Sequence, residues 1–224
     1  MRRICTIILV SAVLRTPSFA QSGRCGGGTA QYLQTTGSDT VAAEGVAVDS
    51  TAIQSQLQVL KVGALRRHGV AFDPAITTRA AYVDIWQPGT EQSGPPTQHA
   101  QVKFSASAAE VVVQQGSRSQ VQVDAVESGT LPFMSGSVLY LQLIAMRAAA
   151  VGRDSVRVPL LWLFSSGQLD TAHVLARGRD SVSIRMSGGE FLFARDADGT
   201  LGHGRRIAAP GSPSGETRYL RVCP

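Results

Sequence analysis

The chain lacks the short patterns that announce catalysis or a bound nucleotide. It has no G-x-S-x-G elbow, no H-E-x-x-H helix, no P-loop and no paired C-x-x-C. These gaps rank enzymes below other classes and imply no cofactor. Histidine is sparse as well. His68, His99, His173 and His203 are scattered, and none has a second ligand at metal spacing. "DTAH" at 170–173 is the nearest thing to a ligand pair and reads as a hairpin end. "RDADGTL" at 195–201 sets two carboxylates beside a glycine, but lacks the third acidic position and distal Glu of a calcium loop. Asp-Gly between strands is a hairpin signal instead. No metal is expected.

Long apolar runs are missing too. The run from Ile4 to Leu14 is too short for a bilayer-spanning helix, which needs about 20 residues. No later run is longer. Arg2 and Arg3 precede it, and Ser18 and Ala20 follow at small-residue positions. That layout is a secretory signal peptide over residues 1–20, with 21–224 as a single exported β-rich domain. Cys25 follows "SGR" rather than the small or aliphatic residues of a lipoprotein site, so no lipid anchor is expected. Removing the signal takes away Arg2, Arg3 and Arg15 and no acid, so a formal charge of +5 falls by three to +2. The basic runs "LRRH" at 65–68 and "GHGRR" at 202–206 read as solvated hairpin ends. No nucleic-acid partner is expected.

Cysteine is scarce, at three residues. With Cys5 in the signal, Cys25 and Cys223 remain at opposite ends of the exported chain. An even count in an oxidising compartment favours a disulfide between them. Closing a loop of about 200 residues restricts the unfolded state by at most about 5 kcal/mol in the chain-entropy picture.

What the chain has in abundance is alternation. In "AIQSQLQV" at 52–59, Gln54, Gln56 and Gln58 oppose Ile53, Leu57 and Val59. "SQVQVDAV" at 119–126 sets Gln120, Gln122 and Asp124 against Val121, Val123 and Ala125. "DSVSIRM" at 180–186 does the same with Ser181, Ser183 and Arg185 against Val182, Ile184 and Met186. Clean period-two patterning means one wet and one buried face, the habit of antiparallel sheets. Further strands are expected at 30–35, 40–48, 64–72, 79–87, 98–105, 109–115, 156–164, 172–177, 190–195, 201–207 and 218–222. Loops are expected near 25–29, 87–98 and 209–216.

"GRDSV" occurs at 152–156 and 178–182, with a relative, "GSDTV", at 37–41. Each copy reads as a turn that launches a strand. The glycine takes a positive φ, and the Asp bonds its own backbone.

One segment breaks the period. "SGSVLYLQLIAMRAAAVG" at 135–152 is rich in Leu, Ala and Met, with Ser135 or Ser137 available as N-cap and Gly152 as the stop. It is apolar nearly all round, so a buried helix is expected. The fold class that follows is mainly β: a strongly curved antiparallel sheet or incomplete barrel with one main α-helix packed on it. Tyr82 and Trp86 on one strand, Trp162 and Phe164 on another and Tyr140 on the helix are candidate ligand-binding residues. The same five would also serve as ordinary core.

From "LPFMSGSVLYLQLIAMRAAAVGRDSVRVPLLWLF" through "GRDSVSIRMSGGEFLFARDADGTLGHG" to "RYLRV", the sequence resembles a class of uncharacterised secreted β-rich proteins of environmental bacteria. Their architecture is similar to periplasmic incomplete barrels such as the lipoprotein carriers LolA and LolB. The resemblance implies a curved sheet around a helix and an envelope location. It transfers no catalytic residue, and the missing lipid-attachment Cys departs from the anchored members. Two functions are expected from these readings. One is an exported envelope protein that binds or carries an apolar small molecule or lipid. The other is a structural or interaction protein without a small ligand.

Overall fold

The computed structural model describes residues 29–90, 94–165, 167–178, 180–196, 199–208 and 216–222. Residues 1–20 of the expected signal, Cys25 and Cys223 lie outside the described residues.

Fifteen strands form one sheet. The first eight are β1 (Thr29–Thr36), β2 (Asp39–Val48), β3 (Ala52–Val59), β4 (Ala64–Phe72), β5 (Thr78–Trp86), β6 (Gln98–Phe104), β7 (Ala108–Gln115) and β8 (Arg118–Ala125). A short β9 (Leu131–Phe133) leads into the helix α1 (Val138–Val151). The rest are β10 (Ser155–Trp162), β11 (Leu169–Ala176), β12 (Ser181–Met186), β13 (Gly189–Arg195), β14 (Leu201–Ile207) and β15 (Thr217–Val222). The protein is therefore mainly β, a large open curled sheet with one helix among the described residues.

The strand order is β8-β7-β6-β5-β4-β3-β2-β1-β15-β14-β13-β12-β11-β10-β9. Two antiparallel meanders thus meet where the first and last described strands pair, with Gln31 opposite Val222 and Thr36 opposite Thr217. Only β9 and β10 run parallel, with Leu160 opposite Leu131. A parallel neighbour needs a crossover, and α1 is that crossover.

The glycines of the repeated motif take the positive φ expected of them, Gly37 at +61° among them. Gly178 has φ +75°, and β12 begins at Ser181. Gly152 is the left-handed C-cap of α1, its N–H donating to Ala148 and Ala149. Ser137 caps the other end, its hydroxyl accepting from the Leu139 N–H.

The helix is buried as its composition requires. Val138 through Ala145, and Ala148, are buried. It packs on β9–β12 at one side and on β2 and β3 at the other. Arg147 near its C-terminal end donates to the Ala75 carbonyl at 2.5 Å. No helix among the described residues is long and apolar enough to cross a membrane.

One strand inverts its expected faces. On β8, Val121 and Val123 are exposed, at 62% and 66%, while Gln122 and Asp124 are half-buried. The register with β7 sets Gln122 opposite Val111 and Asp124 opposite Ala109. Val111 and Ala109 face the core, so Gln122 and Asp124 of β8 turn inward. β8 is a sheet edge, where burial does not enforce alternation.

Candidate functional site

The inner face of the first meander carries a polar cluster where α1 begins. Glu44 of β2 is 2% exposed. Its Oε1 accepts from Ser137 Oγ at 2.5 Å, and its Oε2 accepts from the Val138 N–H at 2.6 Å. Burial raises its pKa, and the bonds from Ser137 and Val138 oppose that rise. Beside it, His68 Nδ1 lies 3.1 Å from the Tyr140 hydroxyl. Burial, and next the positive charge of Arg66, push His68 down to about 3, so the imidazole is neutral. Burial likewise pushes the Tyr140 phenol upward. His68 and Tyr140 are fully buried, so this cluster seats the helix.

Solvent-facing clefts lie elsewhere. The larger, about 890 Å³, follows the C-terminal half of α1. Ala145, Met146 and Ala149 of the helix, with Val48 and Ile76, give it an apolar floor. Asp180 and Arg195 stand at its polar side. Arg195 has no ion pair among the described residues, whereas its neighbour Asp196 is paired with Arg221. Gln142 is already committed: its Oε1 accepts from the Leu201 N–H at 2.7 Å.

A smaller cleft, about 290 Å³, lies at the seam where the inner face of β6–β8 meets the β10–β11 turn. Trp162 and Phe164 line it. Gly167 of that turn sits hard against β8; a Cβ there would lie 2.6 Å from Asp124 Oδ1. A further depression of about 570 Å³ lies along β12–β15. Two of its arginines are engaged, Arg177 by Glu190 and Arg218 by Glu216.

The five candidate ligand residues do not converge. Trp162 and Phe164 share the seam cleft. Tyr140 meets that group only through Phe133, whose ring centroid lies 6.0 Å from Tyr140 and 4.8 Å from Trp162. Tyr82 and Trp86 pair with Gly69 and Leu65 of β4, so alternation puts them on the sheet face opposite His68. There Arg67 stacks over Trp86 at 4.9 Å. The cleft along α1 was not legible as a set of residues. Its one sequence signal is the missing polar face of the helix, which leaves Met146 and Ala149 without an obvious cover.

The histidines stay apart, and no group of three or more His, Cys, Asp or Glu could hold a metal ion among the described residues. His99 Nδ1 lies 2.6 Å from Asp84 Oδ1, an isolated pair between adjacent strands.

This combination defines a β-barrel-like protein with an internal helix. No protein-family model matches the chain, and no curated protein matches it. Two solved structures share the fold. One is a DUF1089 family protein from Pseudomonas aeruginosa, 14% identical, with a TM-score of 0.51, covering 78% of this chain and 91% of that one. The other is a beta-barrel-like protein of the domain of unknown function DUF1849 from Brucella abortus. It is 9% identical, with a TM-score of 0.53, and covers 87% of this chain and 95% of that one.

Proposed function

We propose that this chain is an exported ligand-binding protein of the cell envelope that takes an apolar small molecule or lipid along α1. The observation that carries the reading is the cleft of about 890 Å³ floored by Ala145, Met146 and Ala149. Its volume suits a ligand site, and its floor suits hydrocarbon. Arg195, unpaired at the polar side, offers a contact for an anionic head group. The resemblance to the LolA and LolB carriers supports the same kind of use.

Native mass spectrometry of protein purified from an exporting host, without denaturant, tests this. A co-purifying lipid-sized mass is expected. Ala149→Trp fills the cleft and should empty it, with the unfolding temperature little changed. Protein that arrives ligand-free and fails to take up the apolar dye N-phenyl-1-naphthylamine would remove the proposal.

The alternative, an envelope interaction protein without a small ligand, draws on one feature. β8 is a free edge with no Pro, no Lys and an unbroken register, and it exposes Val121 and Val123. Such edges accept another strand.

A further inference from the structure

The seam cleft has a chemistry different from the cleft along α1. Trp162 Nε1 and Asp124 Oδ2 are both buried without a hydrogen-bond partner. One is a donor and the other an acceptor, and both residues line the same cleft. Asp124 Oδ1 is occupied, accepting from Gln122 Nε2 at 2.6 Å. Gln98 and Gln120 also line the cleft and make no side-chain hydrogen bond among the described residues. Phe164, the remaining aromatic, is held at φ +65°. A left-handed conformation costs a non-glycine residue about 1 kcal/mol and persists where surroundings enforce it.

These groups select a ligand class. Hydrocarbon would leave the Trp162 N–H and the Asp124 oxygen unpaired, at a cost of about 1–3 kcal/mol each. An anion would meet the Asp124 carboxylate with no cation lining the cleft to offset it. A neutral ligand rich in hydroxyls satisfies both orphans and the amides, because each hydroxyl donates and accepts. Its C–H surface would rest on Trp162 and Phe164. We infer that the seam cleft binds a neutral saccharide, of a size between a monosaccharide and a small disaccharide given about 290 Å³.

The test uses the full exported protein and four sugars: glucose, N-acetylglucosamine, maltose and cellobiose. Trp86→Phe leaves Trp162 as the one tryptophan of the chain, so its emission reports the cleft directly. A saturable emission change is expected with at least one sugar at micromolar to millimolar concentration. Asp124→Asn and Gln98→Leu, each confirmed folded by near-ultraviolet circular dichroism, should weaken binding tenfold or more. Ala149→Phe, which also fills the other cleft and adds no tryptophan, should leave sugar binding unchanged. If none of the four sugars gives a saturable change at millimolar concentration, the inference is wrong. It is equally wrong if the Asp124 and Gln98 variants bind as the parent does. Neither result bears on lipid binding along α1, which involves other residues.

Discussion

Glu44 anchors Ser137, 93 residues further along the chain, by a hydrogen bond of 2.5 Å, and holds the neighbouring Val138 N–H at 2.6 Å. The contact ties the start of the helix to β2, one strand from where the two meanders join. Two of the helix N-terminal groups that need partners are thereby satisfied by one buried carboxyl group.

Glu44→Ala should therefore destabilise the fold by about 2–4 kcal/mol, since it strands a buried N–H and hydroxyl and leaves a cavity. Glu44→Gln keeps acceptor capacity and should cost less. Urea denaturation gives the magnitudes, and hydrogen exchange at Val138 gives the location. Equal losses for both variants would mean that volume, not bonding, matters there.

His68 predicts an acid-sensitive fold. Its folded pKa of about 3 lies below the ordinary 6.5, so its contribution is complete above 6.5 and is lost as pH falls toward 3. Glu44 acts oppositely: its raised pKa gives a contribution complete below 4.5 and lost as pH rises through the folded value. Between neutrality and about pH 4 the His68 effect should reach a few kcal/mol. Urea midpoints for the parent and His68→Gln should diverge in their pH slopes, the variant being flatter. Parallel slopes would assign the acid sensitivity to other groups.

Two glycines should respond unequally to alanine. At Gly204 a Cβ would lie 2.2 Å from Phe193 Cδ1 and 2.7 Å from the Leu192 carbonyl oxygen, and Phe193 is 2% exposed. At Gly69 the nearest atoms belong to the half-buried Tyr82 ring, which has room to swing. Gly204→Ala should cost about 2–3 kcal/mol, and Gly69→Ala less. Thermal unfolding of the two variants checks the ranking.

The cysteine pairing is a prediction about residues that lie outside those described. Val222, next to Cys223, pairs with Gln31 of β1, the first described strand after Cys25. A Cys25–Cys223 bridge is expected in exported protein. Non-reducing peptide mapping should recover the linked pair, and alkylation of both thiols in denatured, unreduced protein would rule it out.

Most of the fold was legible because strands buried on one face write that face into the sequence. The ranges 64–72 and 201–207 coincide with β4 and β14. β9 was not legible: "LPF" is three residues long and buried on both sides, so it has no alternation to read. The faces of β8 were misread because its valines look like core, while their placement depends on pairing with β7 alone. The pairing of β1 with β15 could not be read either, since register across nearly the whole chain leaves no local mark. Nor could the Glu44 anchor, which looks like any wet-face acid in "DTVAAEGV". Of the candidate site residues, Trp162 and Phe164 share a cleft because they lie two apart where β10 runs into its turn. The others were grouped by residue type, which carries no information about sheet face.

The meeting of β1 and β15 reaches beyond stability. Synthesis runs from one end to the other, yet β15, the last described strand, is a central one. Until residue 222 has emerged, β1 and β14 are bare edges and the two meanders are joined through the packing of α1 and not through the sheet. Folding must wait for completion and pass through a contact of very high order, which makes it slow. A product cut short by a dozen residues would lose the strand that joins the halves. Truncation at this end should therefore yield aggregates, whereas loss of β8, at the rim, would leave the join untouched.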